Sequence, residues 1–223
     1  MAIFSCSPKP ENRSNTVAIA KAFKDGYGGD AEIHHLNKRA GWDKYRGIFD
    51  KSTEIVFAMP LFVECVPGLL MEFLESLTPK NSGADSVRPD ESAEKTRIGF
   101  ILQGGFEEAC QLRVCEKYLE TLPSYLGCEY SGTLLKGGMF ALTIASEKRR
   151  SKILGRFREM GRIYAETGVF DKAAVTKFAA PERYSKPMRF LIALLAPINK
   201  IAWRYLARKH GVQGRLDARP YAQ

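Results

Sequence analysis

The sequence predicts an α/β fold, a parallel sheet with helices on both faces. Two observations carry this. Short apolar segments alternate along the chain with stretches of helical periodicity. The inner segments, TEIVFAMP and RIGFIL, are apolar throughout, as strands buried on both faces are.

The elements follow in order. AIFS, residues 2–5, is a buried strand. NTVAIAKAFKDG is a helix with Val17, Ala20 and Phe23 on one side, Ser14 or Asn15 placed to cap its start and Gly26 placed to end it. AEIHHL (31–36) and TEIVFAMP (53–60) are the second and third strands. After PLFVECVPG, the run LLMEFLESL makes a short helix for which Pro67 suits the first turn. Residues 79–95 are polar and turn-rich and read as an exposed loop. RIGFIL (97–102) is the fourth strand, and the helix after it sets Ala109, Leu112, Cys115, Leu119 and Leu122 on one face. CEYSGTLLKGG (128–138) supplies the fifth strand. SEKRRSKILGRFREMGRIYAETG then turns Ile153, Phe157, Met160 and Tyr164 inward, between Ser146 and Gly168 as caps.

A chain of 223 residues has room for one such domain with an appendage. Its 45% apolar and 26% charged residues are ordinary for a globular protein. The five cysteines form no CxxC or Cys/His cluster, so reduced thiols and no metal site are expected. The start, MAIFSCSPKP, has no basic n-region, and a cytoplasmic location is the expectation. The net charge of +9 is uneven: residues 1–169 carry 23 basic and 22 acidic residues, residues 170–223 carry 11 and 3. A near-neutral body argues against nucleic-acid binding as the work of the whole chain.

Open parallel sheets bind ligands at the carboxyl ends of their strands. Three loops here lie at such ends. The first, SPKPENRSNT, brings Ser7, Ser14, Asn15 and Thr16 to a helix start, where free N–H groups and the helix dipole favour an anion such as phosphate. It is neither a P-loop nor a GxGxxG turn, and Ser14, Asn15 and Thr16 could equally serve as a plain cap. The second holds Pro60, Leu61, Phe62 and Val63, a wall for a flat ring or ordinary core. The third, Gln103, Gly104, Gly105 and Phe106, lets a backbone approach a ligand or simply turns the chain. His34 and His35 sit on the second strand, apart from these loops.

Together the three loops, in this order and spacing, resemble the flavodoxin-like NAD(P)H-dependent FMN reductases over residues 1–168. The resemblance implies a three-layer sandwich with a five-stranded parallel sheet, commonly a homodimer, with FMN at the strand ends. Ser7, Lys9, Ser14, Asn15 and Thr16 would then surround the FMN phosphate. Pro60, Leu61, Phe62 and Val63 would border the ribityl chain and ring, and Gln103, Gly104, Gly105 and Phe106 the ring's other edge. The family's usual glycine before the first Ser-Pro is Cys6 here, and Pro10 and Glu11 add bulk to the loop. The implied activity passes hydride from NAD(P)H through flavin N5 to a small acceptor such as a quinone, a flavin or a nitro- or azo-aromatic. The flavin carries that chemistry and no side-chain acid or base is required. An electron carrier serving a protein partner, and a flavin-free membrane-associated scaffold, are the alternatives. Carriers of that kind are usually acidic around the flavin, which this body is not.

Residues 169–223 read as a basic amphipathic helical extension. Leu191, Leu194, Leu195, Ile198, Ile201, Ala202 and Tyr205 share a face, Lys200, Arg204 and Arg208 recur every four residues, and Pro197 breaks or kinks the helix. The apolar run Phe190–Ile198 is far shorter than the ~20 residues that span a bilayer. Packing on the body or a dimer mate, peripheral membrane contact through residues 186–210, and nucleic-acid binding remain as readings of this segment.

Overall fold

The computed structural model describes residues 1–80, 95–214 and 218, so most of the expected 79–95 loop lies outside the described residues. It divides into two compact units, Met1–Arg183 and Tyr184–Gln223. In the first unit, β1 (Ala2–Ser5), β2 (Glu32–His35), β3 (Glu54–Pro60), β4 (Arg97–Gln103) and β5 (Glu129–Lys136) pair in parallel in the order β2-β1-β3-β4-β5. The order reverses between β1 and β3, and the carboxyl ends of strands at such a reversal are where open parallel sheets bind ligands. The helices are α1 (Asn15–Tyr27), α2 (Trp42–Lys51), α3 (Gly68–Glu75), α4 (Arg113–Tyr125), the short α5 (Ala141–Ile144), α6 (Glu147–Thr167) and α7 (Lys172–Ala179).

Side-chain alternation assigns the two faces of the sheet. Phe4, Phe57 and Phe100 stand in register on the three central strands, with centroids 5.2 and 6.1 Å apart and rings nearly parallel. Phe73 of α3 packs on Phe4 and on Trp42 of α2, closing that layer. Each aromatic pair adds about 1 kcal/mol beyond its buried area and ties strand register to helix position. On the opposite face, Phe23 of α1, Tyr164 of α6 and Phe170 pack with centroids 4.5–5.7 Å apart. The Tyr164 hydroxyl meets Ser131 Oγ of β5 at 3.0 Å, so its polar tip has a partner inside the core.

The end of α1 differs from the sequence expectation. Gly28 closes the helix in the left-handed conformation, at φ 70°, where its amide reaches Lys24 O. Gly26 lies within the helix and serves packing instead. A Cβ there would lie 1.8 Å from Arg158 O, and one at Gly161 would lie 2.1 Å from Phe23 O. The backbones of α1 and α6 thus touch at paired glycines.

Three helices are missing from the periodicity reading: α2, the four-residue α5 and α7. α2 carries a usable signal, since Trp42, Tyr45 and Phe49 recur every three or four residues. α7 is short, and its burial of Val175 and Phe178 depends on the edge of β5 beside it. Lys136, the last residue of β5, holds the end of α7: its Nζ donates to Ala180 O (2.7 Å), Phe178 O (3.1 Å) and Ala179 O (3.2 Å). Burial, with Arg156 nearby, draws this ammonium down to about 8.

His34 is buried on β2 and packs on Phe4 and Tyr45. Burial holds its imidazole below the ordinary 6.5, although Glu32 lies 3.8 Å away. The folded chain therefore resists a proton that the unfolded chain binds readily below pH 6.5. Stability is expected to fall as pH drops through that value. Denaturant midpoints measured at pH 7 and pH 5 should show less acid loss for His34→Phe than for the unmodified chain.

Candidate functional site

The three loops singled out in the sequence meet at the carboxyl end of the sheet. Cys6 continues the β1–β3 pairing, its amide donating to Ala58 O at 2.8 Å, and its side chain is buried in the core. Burial pushes its thiol well above the usual range. The Cβ of Cys6 thus adds its bulk to the core.

The chain then turns at Ser7, whose Oγ accepts the Lys9 amide at 3.2 Å. Lys9 O is held by Asn37 Nδ2 at 3.0 Å. Pro10 leads into a single 3-10 turn, Glu11–Arg13. Glu11 is drawn toward β2, where Lys38 Nζ (2.6 Å) and His35 Nε2 (3.3 Å) engage its carboxylate. The hydrogen bond from Lys38 and the charge of His35 hold that carboxyl below its usual range. His35, apart from the ligand loops by sequence, therefore touches the first of them.

Ser14 caps α1, its Oγ accepting the Val17 amide at 3.2 Å, a contact type that contributes about 1 kcal/mol to a helix. Asn15 Nδ2 donates to Met139 O and Thr143 Oγ1, both at 3.0 Å, and so ties the helix start to the chain after β5. Thr16 is buried and accepts from Gln103 Nε2 at 3.3 Å, linking the first loop to the third. The amides of Asn15 and Thr16 have no intrachain acceptor among the described residues. They are the unfilled donors of a helix N-terminus.

Outside this turn lies a groove of about 550 Å³ bordered by Lys9, Arg13, Ser14, Asn15, Lys21 and Arg150. Four of these six carry positive charge, while Glu11, also on its border, is already engaged by Lys38 and His35. Arg150 is steadied by a 2.6 Å bond from Nη1 to Leu142 O. Arg13, Lys21 and Arg150 are additions to the expected set. Arg13 stood inside the quoted loop, whereas Arg150 is distant in sequence and joins only because α6 starts beside α1.

The second loop leaves β3 at Pro60, which pairs with Gln103, and the Leu61 amide donates to Gln103 O at 2.7 Å. Phe62 and Cys65 exchange backbone hydrogen bonds of 2.9 and 3.0 Å around a two-residue turn, Val63–Glu64. Both turn residues have positive φ, 47° and 63°. Such turns favour Asn-Gly, and a β-branched residue in this region costs roughly 1–2 kcal/mol. The turn lifts Val63 into solvent, 98% exposed, with Phe62 below it at 47%.

The third loop is clamped to the turn after β5. Gly104 N donates to Lys136 O (3.0 Å), Met139 N to Gly104 O (2.9 Å) and Gly138 N to Phe106 O (2.7 Å). Gly105 stands between these clamps with no heavy atom within 4 Å of where its Cβ would be. Phe106 beside it is 76% exposed. The strand ends therefore carry a cationic pocket at one side and exposed apolar rings at the other.

Sheet order, two helical layers and a polar loop running into α1 define a flavodoxin-like α/β fold with a groove bordered by cationic residues at one end. No family model and no curated protein matches the chain. Solved structures do share its fold. An FMN-dependent NADH-azoreductase from Bacillus anthracis str. Ames Ancestor, in complex with FMN, is 14% identical with a TM-score of 0.50, over 76% of this chain and 98% of that one. An NAD(P)H:quinone oxidoreductase from Methanothermobacter marburgensis is 14% identical, TM-score 0.53, over 72% and 92%. A thermophilic tryptophan halogenase enzyme from Streptomycin violaceusniger is 16% identical, TM-score 0.54, over 71% and 96%. Proteins with such different names share this sheet, so the reaction has to be read from the site's own residues.

Proposed function

We propose that the chain is an FMN-dependent NAD(P)H oxidoreductase that reduces a small acceptor of the quinone or azo-aromatic class. The observation that carries this reading is the cationic groove at the start of α1, set beside exposed apolar residues from the ends of β3 and β4. A flavin nucleotide has that polarity, a phosphate at one end and a flat ring at the other. The FMN-bound azoreductase of the same fold supports the choice of nucleotide.

The residues present fit the group. The unfilled amides of Asn15 and Thr16, with Lys9, Arg13 and Arg150, would hold the phosphate. Phe62 and Val63 would border one side of the ring, and Phe106 its far edge. The open space at Gly105 leaves room for that edge. Flavin bound there would supply two-electron transfer between a nicotinamide and the acceptor. The Val63–Glu64 turn and the clamped Gly104–Phe106 segment would fix the orientation of the ring, and the apolar side chains would keep water from it.

The test is NADPH and NADH oxidation by the FMN-loaded chain, followed with a naphthoquinone, an azo dye and no acceptor. Turnover that requires both flavin and a small acceptor is expected. A flavin-loaded protein that oxidises neither nicotinamide would contradict the reading and favour an electron carrier.

A further inference from the structure

The second unit presents a surface of a different kind. Its helices are α8 (Lys186–Leu194), capped by Ser185, and α9 (Ala196–Lys209), with Pro197 in its first turn. Pro197 cannot continue the preceding helix, and the two axes meet at 46°. In α8 the apolar residues Met188, Phe190, Leu191, Ile192 and Leu194 cover one broad face, Lys186 and Arg189 share the other, and every residue of the helix is exposed. Phe190 is 72% exposed, and Ile201 of α9 is 66% exposed. An apolar helix face is ordinarily covered, and an exposed apolar surface of this extent marks a place of attachment.

Charge identifies what covers it. The two helices hold Lys186, Arg189, Lys200, Arg204, Arg208 and Lys209, and no acidic residue occurs from Tyr184 to Gly214. In α9 the basic residues 200, 204 and 208 follow one stripe, while Ile198, Ile201 and Tyr205 follow another. Two copies packed through this segment would set one all-cationic surface against another, with no carboxylate in the segment to pair. An anionic lipid surface accepts both features at once.

We propose that α8 and α9 form an in-plane anchor for an anionic membrane surface. With 9 and 14 residues the helices are about 14 and 21 Å long, short of the ~30 Å hydrocarbon layer. No single helix among the described residues is long and apolar enough to cross a membrane, and the two together, which reach that length and composition, are bent by 46° at their junction. Lying flat, the pair sinks its Leu and Ile side chains below the headgroups, sets Trp203 and Tyr205 at the boundary and directs the Lys/Arg stripe to lipid phosphates. The anchor does not depend on the flavin reading, because it uses none of the strand-end residues.

The experiment is flotation of the full chain with phosphatidylcholine vesicles, with and without phosphatidylglycerol, at low and high salt. The chain is expected to float with the anionic vesicles at low salt and to be released by high salt or by omission of the anionic lipid. Lys200→Gln/Arg204→Gln/Arg208→Gln should weaken partitioning about a hundredfold. Ile198→Ser/Ile201→Ser should also release the chain. Failure to float with either vesicle, equal flotation with both, a dimer that Ile198→Ser/Ile201→Ser dissociates, or preference for RNA over anionic vesicles would each overturn the proposal. Flavin content plays no part in the readout.

Discussion

Gly161→Ala is expected to cost the fold about 2–3 kcal/mol, in spite of the roughly 1 kcal/mol by which alanine favours a helix interior. The added Cβ would fall 2.1 Å from Phe23 O, and a backbone carbonyl has no rotamer by which to withdraw. Relief requires α1 and α6 to separate, which opens the packing of Phe23 against Tyr164 and Phe170. Gly26→Ala meets the same obstacle from the other side, 1.8 Å from Arg158 O. Gly155, also in α6, provides the control, since nothing lies within 4 Å of its missing Cβ. Gly155→Ala is expected to stabilise the chain by up to ~1 kcal/mol. Urea unfolding of the three variants checks this. A Gly161→Ala midpoint equal to that of the unmodified chain would show that the helices do not touch at this pair. Because the loop proposed to hold the phosphate runs into the first turn of α1, displacement of the helix should also weaken FMN binding.

Gly105→Trp is expected to reduce FMN affinity a hundredfold or more while changing stability by no more than about 0.5 kcal/mol. The open space around Gly105 means that the chain itself does not need a glycine there for packing. A bulky side chain would occupy the volume assigned to the ring edge and leave the three backbone clamps on either side intact. Flavin fluorescence titration beside urea unfolding separates the two effects. Unchanged affinity would remove the ring from the β4 loop, whereas loss of stability with loss of affinity would make Gly105 a packing residue.

Much of this was readable because α/β sheets announce themselves locally. VFAMP and GFIL are apolar without a polar side, so they belong to a sheet covered on both faces, and the loops behind them fall at its carboxyl end. Ser14 was readable as a cap because its role is local, a bond to an amide three residues on. What escaped depends on contacts distant in sequence. Gly26 has the sequence look of a helix end, and only α6, crossing at Arg158 and Gly161, makes it an interior contact. Arg150 and Thr143 reach the first loop only because the chain after β5 returns beside α1. The positive φ of Val63 and Glu64 had no glycine or asparagine to announce it.

The central claim is that the strand-end cleft takes a flavin nucleotide, and the most direct measurement is FMN binding by the purified full chain. Quenching of flavin fluorescence should saturate at one FMN per chain, weaken with Arg13→Ala/Arg150→Ala and fail with Gly105→Trp. A chain that is folded by circular dichroism, is purified without colour and leaves added FMN fluorescence unchanged would contradict the account.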